Sequence, residues 1–175
     1  MVDVRVADLM LPLAQYTSVS EEATLEEVFL ALEGALKGSA KPDPSQARDF
    51  AVLVLDQDGR VRGRLGVWDA LQGLEPQSGK RVDALAMVDG YEAWDRPLMH
   101  LGLKARTVRA KDLVKVLSKD EYIDESAGLN EALRRLVDNR FLSLIVMRGR
   151  ETAGILRVVD VFQYVCDQLR AELGA

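Results

Sequence analysis

The sequence predicts an α/β (α+β) protein built from two β-α-β-β-α repeats that pack as a pseudo-two-fold pair. Three observations carry that prediction. Phe50 to Leu71, FAVLVLDQDGRVRGRLGVWDAL, reads as strand, tight turn, strand, helix. The same pattern returns at Phe141 to Phe162, where a shift of 91 pairs Phe50/Phe141, Leu53/Leu144, Gly63/Gly154, Leu65/Leu156, Val67/Val158 and Asp69/Asp160. Upstream, Val4–Leu32 lies over Val108–Leu136 without a gap at a shift of 104, and 10 of the 29 positions are identical. Chance would give roughly two or three. The chain is an internal duplication, and the first copy carries 104 − 91 = 13 extra residues between its matched blocks.

Taken in order, Val4 to Met10 is a short leading segment and Thr17 to Val19 a brief strand. Thr24 followed by Glu27 is a capping-box pattern, and Leu25, Val28, Phe29, Leu32 and Leu36 then fall on one helical face that ends near Gly38. Residues 37–49, KGSAKPDPSQARD, read as an exposed loop and account for the 13-residue excess. Phe50–Leu55 suits a strand buried on both faces, Asp58-Gly59 a two-residue hairpin turn with both positions at positive φ, and Val61–Leu65 the returning strand. Gly66 ends that strand, and Val67 to Leu71 restarts with helical spacing. Pro76 and Gly79 mark a boundary, and Tyr91 to Leu103 suggests a short, imperfect helix between the halves. In the second copy Leu129, Ala132, Leu133, Leu136 and Val137 repeat the helical face, and Asn139-Arg140 replaces the long loop. The last helix sets Val158, Val161, Phe162, Val165, Leu169 and Leu173 along one stripe. The predicted domains are residues 1–75 (first repeat, with the insertion at 37–49), 76–103 (linker with a short helix) and 104–175 (second repeat). One repeat alone would expose a sheet face and its helical stripes, and stacking two repeats through their sheets would hide both.

Composition narrows the function. The formal charge of −5 offers no basic face for nucleic acid. No apolar run approaches a membrane span, and MVDVRVADLM lacks the basic-then-apolar pattern of a signal peptide. The single Cys166 excludes an internal disulfide and fits a reducing cytoplasm, as a buried helix residue. His100 is the only histidine, so a histidine metal cluster or repeated triad is out of reach. No Walker-type loop or dinucleotide fingerprint occurs. The expected protein is not an enzyme.

The ends of the two copies carry a motif: Gly63-Arg64-Leu65-Gly66-Val67-Trp68-Asp69 and Gly154-Ile155-Leu156-Arg157-Val158-Val159-Asp160. Together with the opening Val6-Ala7-Asp8-Leu9-Met10, this layout resembles the tandem CBS domain pair, or Bateman module, over nearly the whole chain except residues 37–49 and 75–103. The resemblance implies regulation: an adenine nucleotide (AMP, ADP, ATP or another adenosine compound) in a cleft between the copies, no prosthetic group, disc-shaped homodimers, and output through a separate effector protein. It implies that the Asp takes ribose hydroxyls and that a Ser or Thr three residues earlier assists phosphate. Here both aspartates, Asp69 and Asp160, stand, while Gly66 and Arg157 occupy the Ser/Thr positions.

The candidate ligand-binding residues are therefore Asp160, Arg157, Asp69, Gly66 and Trp68. Chemistry supports the set, because a carboxylate can accept two hydrogen bonds from a cis-diol and a helix N-terminus offers N–H groups to an anion. Each residue also has a plainer explanation. An Asp early in a helix complements its dipole, Arg157 either binds phosphate or plugs the cleft, and Trp68 either stacks on a base or packs on the core. The arginines of residues 134–157, opposed within that block by Asp138 and Glu151, suit an anion site or a solvated face. The functional expectation is a nucleotide-binding regulatory module; the alternative is a ligand-free dimerisation or scaffold module with degenerate sites.

Overall fold

A computed structural model describes residues 4–38, 51–75, 98 and 100–174. The expected loop at 37–49 and most of the linker, with Trp94 and Pro97, lie outside these residues or at their edge. The chain forms two compact units, residues 17–116 and residues 1–16 with 117–175. Each is a four-stranded mixed sheet covered by helices; the mixed α/β class is the one the sequence predicts, and the fourth strand of each sheet is not.

In the unit of residues 17–116, β2 (Ser18–Ser20) leads to α2 (Leu25–Gly38), followed by β3 (Ala51–Leu55), β4 (Val61–Gly66) and α3 (Val67–Gln72). The helix starts where the capping box puts it. Thr24 N–H donates to Glu27 Oε2 at 2.7 Å and Glu27 N–H donates to Thr24 Oγ1 at 3.2 Å, a cap worth about 1 kcal/mol. Leu25, Val28 and Leu32 of α2 bury against Val52 and Val54 of β3, Leu65 of β4 and Ala70 of α3. The sheet runs β2-β3-β4-β5, and its edge strand β5 (Lys115–Val116) comes from the second repeat, with α4 (Leu101–Thr107) and α5 (Ala110–Leu113) ahead of it. The predicted helix at Tyr91–Leu103 is thus described only as α4, which continues to Thr107.

The other unit mirrors this arrangement with β6 (Tyr122–Asp124), α6 (Leu129–Asn139), β7 (Ser143–Arg148), β8 (Glu151–Arg157) and α7 (Val158–Leu173). Its edge strand is β1 (Leu11–Pro12), preceded by α1 (Val6–Leu9), from the first repeat. Val6 enters a core made by Ile123, Ala132, Leu136, Leu144, Val146, Leu156 and Val161.

The leading segments are exchanged, bond for bond. Val6 N–H donates to Ala127 O and Ala7 N–H to Glu125 O; 104 residues on, Ala110 N–H donates to Ala23 O and Lys111 N–H to Glu21 O. Leu129 N–H donates to Val4 O, and Leu25 N–H to Val108 O. The duplicated segments 1–75 and 104–175 are therefore not the compact units, because each sends its first dozen or so residues into the other's sheet.

Four details differ from the sequence expectations. The Asp58-Gly59 hairpin has only Gly59 at positive φ, 75°, while Asp56 Oδ1 accepts from Asp58 N–H and Arg60 N–H at 2.9 and 2.8 Å. Between the equivalent pairs Leu55↔Val61 and Met147↔Thr152 the chain thus has five residues here and four in the other unit. Val52 pairs with Leu65 and Leu144 with Leu156, so β3 and β7 correspond at a shift of 92, not 91. Both strands are buried at successive positions, so no polar alternation betrayed the one-residue slip. On α6, Ala132 and Leu136 are buried but Leu133 and Val137 are exposed; on α7, only Val161 of the expected stripe is fully buried. Cys166, expected in the core, is half-buried. Among the described residues, no helix is long and apolar enough to cross a membrane.

Candidate functional site

The candidate residues sit at one structural feature repeated in both units, where the second strand of the hairpin turns into a helix. In the unit of residues 17–116, β4 ends at Gly66, whose extended backbone (φ −93°, ψ 177°) makes it the cap of α3. Asp69, three residues on, accepts from Gly66 N–H through Oδ2 at 3.0 Å. Its Oδ1 is 2.9 Å from Lys115 Nζ, and only 16% of the Asp69 side chain is exposed. Both oxygens are thus engaged, one in capping and one in an ion pair. Trp68 is 72% exposed, which excludes the core-packing explanation for it.

In the other unit Arg157 caps α7, and its side chain turns back onto Asp160. Nε donates to Oδ2 at 2.7 Å and Nη2 donates to Oδ1 at 2.6 Å, a fork-to-carboxylate pair. The structure brings the two candidates of this copy together. Val158 N–H, the first of the helix, donates to Leu142 O at 2.9 Å.

The two carboxylates therefore each have a cation, drawn from different places. Position 66/157 provides nothing in the first copy and a guanidinium in the second; position 11/115 provides Leu11 in the first copy and a lysine in the second. Lys115 was not a sequence candidate. Finding it requires knowing that β5 pairs with β4, where Arg64 faces Lys115.

The arginine-rich block behaves as a paired surface. Arg148 grips both oxygens of Glu125 at 2.7 and 2.8 Å, which holds that carboxyl below its ordinary value. Arg135 bonds Glu131 and the Tyr122 carbonyl. The counter-charges come from outside residues 134–157, so the block is less basic in space than in sequence. In the other unit Glu22 binds Lys111 at 2.7 Å and raises its pKa. Among the described residues, no group of three His, Cys, Asp or Glu could hold a metal ion. A surface hollow of about 300 Å³ beside the start of α2 is lined by Val19, Ser20, Glu22, Ala23 and Glu27, none of them a candidate residue.

Residues 108–167 match the family model of the CBS domain. That match places a CBS domain in the second repeat. The AMP complex of CBSX2 superposes with a TM-score of 0.59 at 21% identity, covering 93% of this chain and 97% of that one. A CBS domain-containing protein of unknown function from Kribbella flavida gives 0.60 at 15% identity, with 93% and 98% covered. CbpB in complex with c-di-AMP gives 0.61 at 14% identity, with 99% and 91% covered. No curated protein matches the chain. At these identities the likeness establishes the fold. The family model covers the second repeat only, and the departures at Gly66 and in the 13-residue insertion both fall in the first.

Proposed function

We propose that the chain is a tandem CBS pair that serves as a regulatory module, not an enzyme, and binds an adenine nucleotide at the start of α7. Asp160 receives the ribose hydroxyls and Arg157 the phosphate. The observation that carries this reading is the Arg157–Asp160 pair, which sets a carboxylate and a two-pronged guanidinium side by side at the N-terminus of a 16-residue helix. A cis-diol suits the first group and a phosphate the second, and the positive end of the helix favours the anion. The AMP and c-di-AMP complexes of structural neighbours support an adenosine compound as the ligand class. The corresponding place in the first copy is weaker for phosphate, since Gly66 has no side chain and Lys115 is tied to Asp69. Binding would be passed on through assembly with a second copy or with a separate effector protein, in the cytoplasm.

Calorimetric titration with AMP, ADP, ATP, NAD and S-adenosylmethionine tests the proposal. Saturable binding of one of them that Asp160→Ala removes supports it, and heats of dilution throughout refute it. A second reading, a scaffold that dimerises without a ligand, is favoured by the exposed apolar side chains of α7. Phe162, Val165, Leu169 and Leu173 lie on one side of the helix, and Phe162 and Leu173 are 68% and 78% exposed.

A further inference from the structure

The two groups that the proposed site requires are bonded to each other. Arg157 spends Nε and Nη2 on the two oxygens of Asp160, so the fork faces the carboxylate squarely. The partners are three residues apart at one helix start, so the contact is local to that turn of chain. Asp160 is 25% exposed and Arg157 40%, so water screens the pair only in part.

This geometry sets terms for any ligand. A nucleoside brings hydroxyls for Asp160 but no anion to replace the carboxylate at the guanidinium. Inorganic phosphate brings a partner for Arg157 and leaves the carboxylate alone beside a second anion. A nucleoside 5′-phosphate brings both, so each ion exchanges one charge-assisted partner for another and none is lost.

We propose that the Arg157–Asp160 pair acts as an intramolecular substitute for the ligand. The site thereby selects molecules that carry a vicinal diol and a phosphate together, and discriminates against nucleosides and free phosphate. The inference rests on the nucleotide reading above and adds a selection rule to it. The first copy lacks the device: its carboxylate meets a lysine at a single contact, from a side chain that is 74% exposed.

Adenosine and AMP are titrated into the full chain and into Arg157→Ala and Arg157→Lys, each first shown to melt like the parent. The parent should bind AMP at least about tenfold more tightly than adenosine. Arg157→Ala should weaken AMP about tenfold but tighten adenosine roughly threefold, since releasing a partly exposed pair frees Asp160 at modest cost. Arg157→Lys keeps the charge without the fork, so it should hold AMP within about threefold and also tighten adenosine. If Arg157→Ala weakened both ligands in parallel, or left adenosine unmoved, the substitution role would be wrong and the nucleotide reading would stand. Failure of adenosine and AMP to bind any of the three proteins would overturn both.

Discussion

Gly154 meets Leu11 across the edge of its sheet, and the backbones come so close that no side chain fits between them. A Cβ on Gly154 would strike the Leu11 carbonyl oxygen and lie 3.1 Å from its carbon. Gly63 stands in the same relation to Lys115 and Val114. These are the glycines that open the duplicated motif, and their role is to seat the exchanged strand. Gly154→Ala should destabilise the protein by about 2–3 kcal/mol and lower the Tm by roughly 4–10 °C in a calorimetric scan. Gly34→Ala, in the middle of α2 with open space around the position, should raise stability by about 0.5–1 kcal/mol. Equal effects at the two sites would refute the close-approach argument.

The two aspartates should not be equivalent towards nucleotide. Asp160→Ala is expected to weaken AMP more than tenfold by calorimetry, because it removes the group proposed for ribose and the carboxylate that holds the Arg157 fork. Asp69→Ala should change AMP affinity by less than about threefold, since the first copy lacks a fork for phosphate.

The outer face of α7 should be a self-association surface. From Phe162 onward its apolar side chains have little of their own unit to cover, over a helix about 24 Å long. Light scattering at tens of micromolar is expected to give a dimer, and Leu169→Glu a monomer with an unchanged circular dichroism spectrum. A monomeric parent would refute this.

Acid should loosen the protein in a defined window. Glu27 is held below its ordinary value of 4.5 by the Thr24 N–H and hydroxyl, and Glu125 by Arg148. Asp124 is held below 3.8 by Ser126. Folded-state values lower than unfolded ones mean that these groups contribute in full above about pH 4.5 and lose the contribution as pH falls through their folded values. Stability followed by urea unfolding should be flat near neutrality and decline below about pH 4.5, and Glu125→Gln should soften the decline.

Much of the architecture was legible because the duplication repeats every signal. Thr24 with Glu27 marked the start of α2, and Gly66 marked the strand-to-helix turn whose motif recurs at Gly154–Asp160. What escaped was set by contacts distant in sequence. Leu53 and Leu144 looked equivalent because β3 and β7 are buried on both faces, and only strand pairing shows the slip. Within the site, Arg157 and Asp160 were nameable from the motif, but their bond to each other was not. Lys115 could not be seen at all, since it reaches Asp69 only because the leading segments change places.

That exchange also bears on what happens when the chain is cut. A single break between residues 76 and 97 would yield two fragments, neither of which holds a whole sheet. The N-terminal piece would keep β2, β3 and β4 but surrender β5, and the C-terminal piece would keep β6, β7 and β8 but surrender β1. Each would carry the strand that the other lacks. The nicked protein should therefore elute as one species, and separately produced halves should complement one another when mixed, held by two independent strand additions. A protein built this way tolerates severing at its middle better than trimming at its N-terminus, where loss of the first dozen residues strips a strand from the unit that contains Asp160.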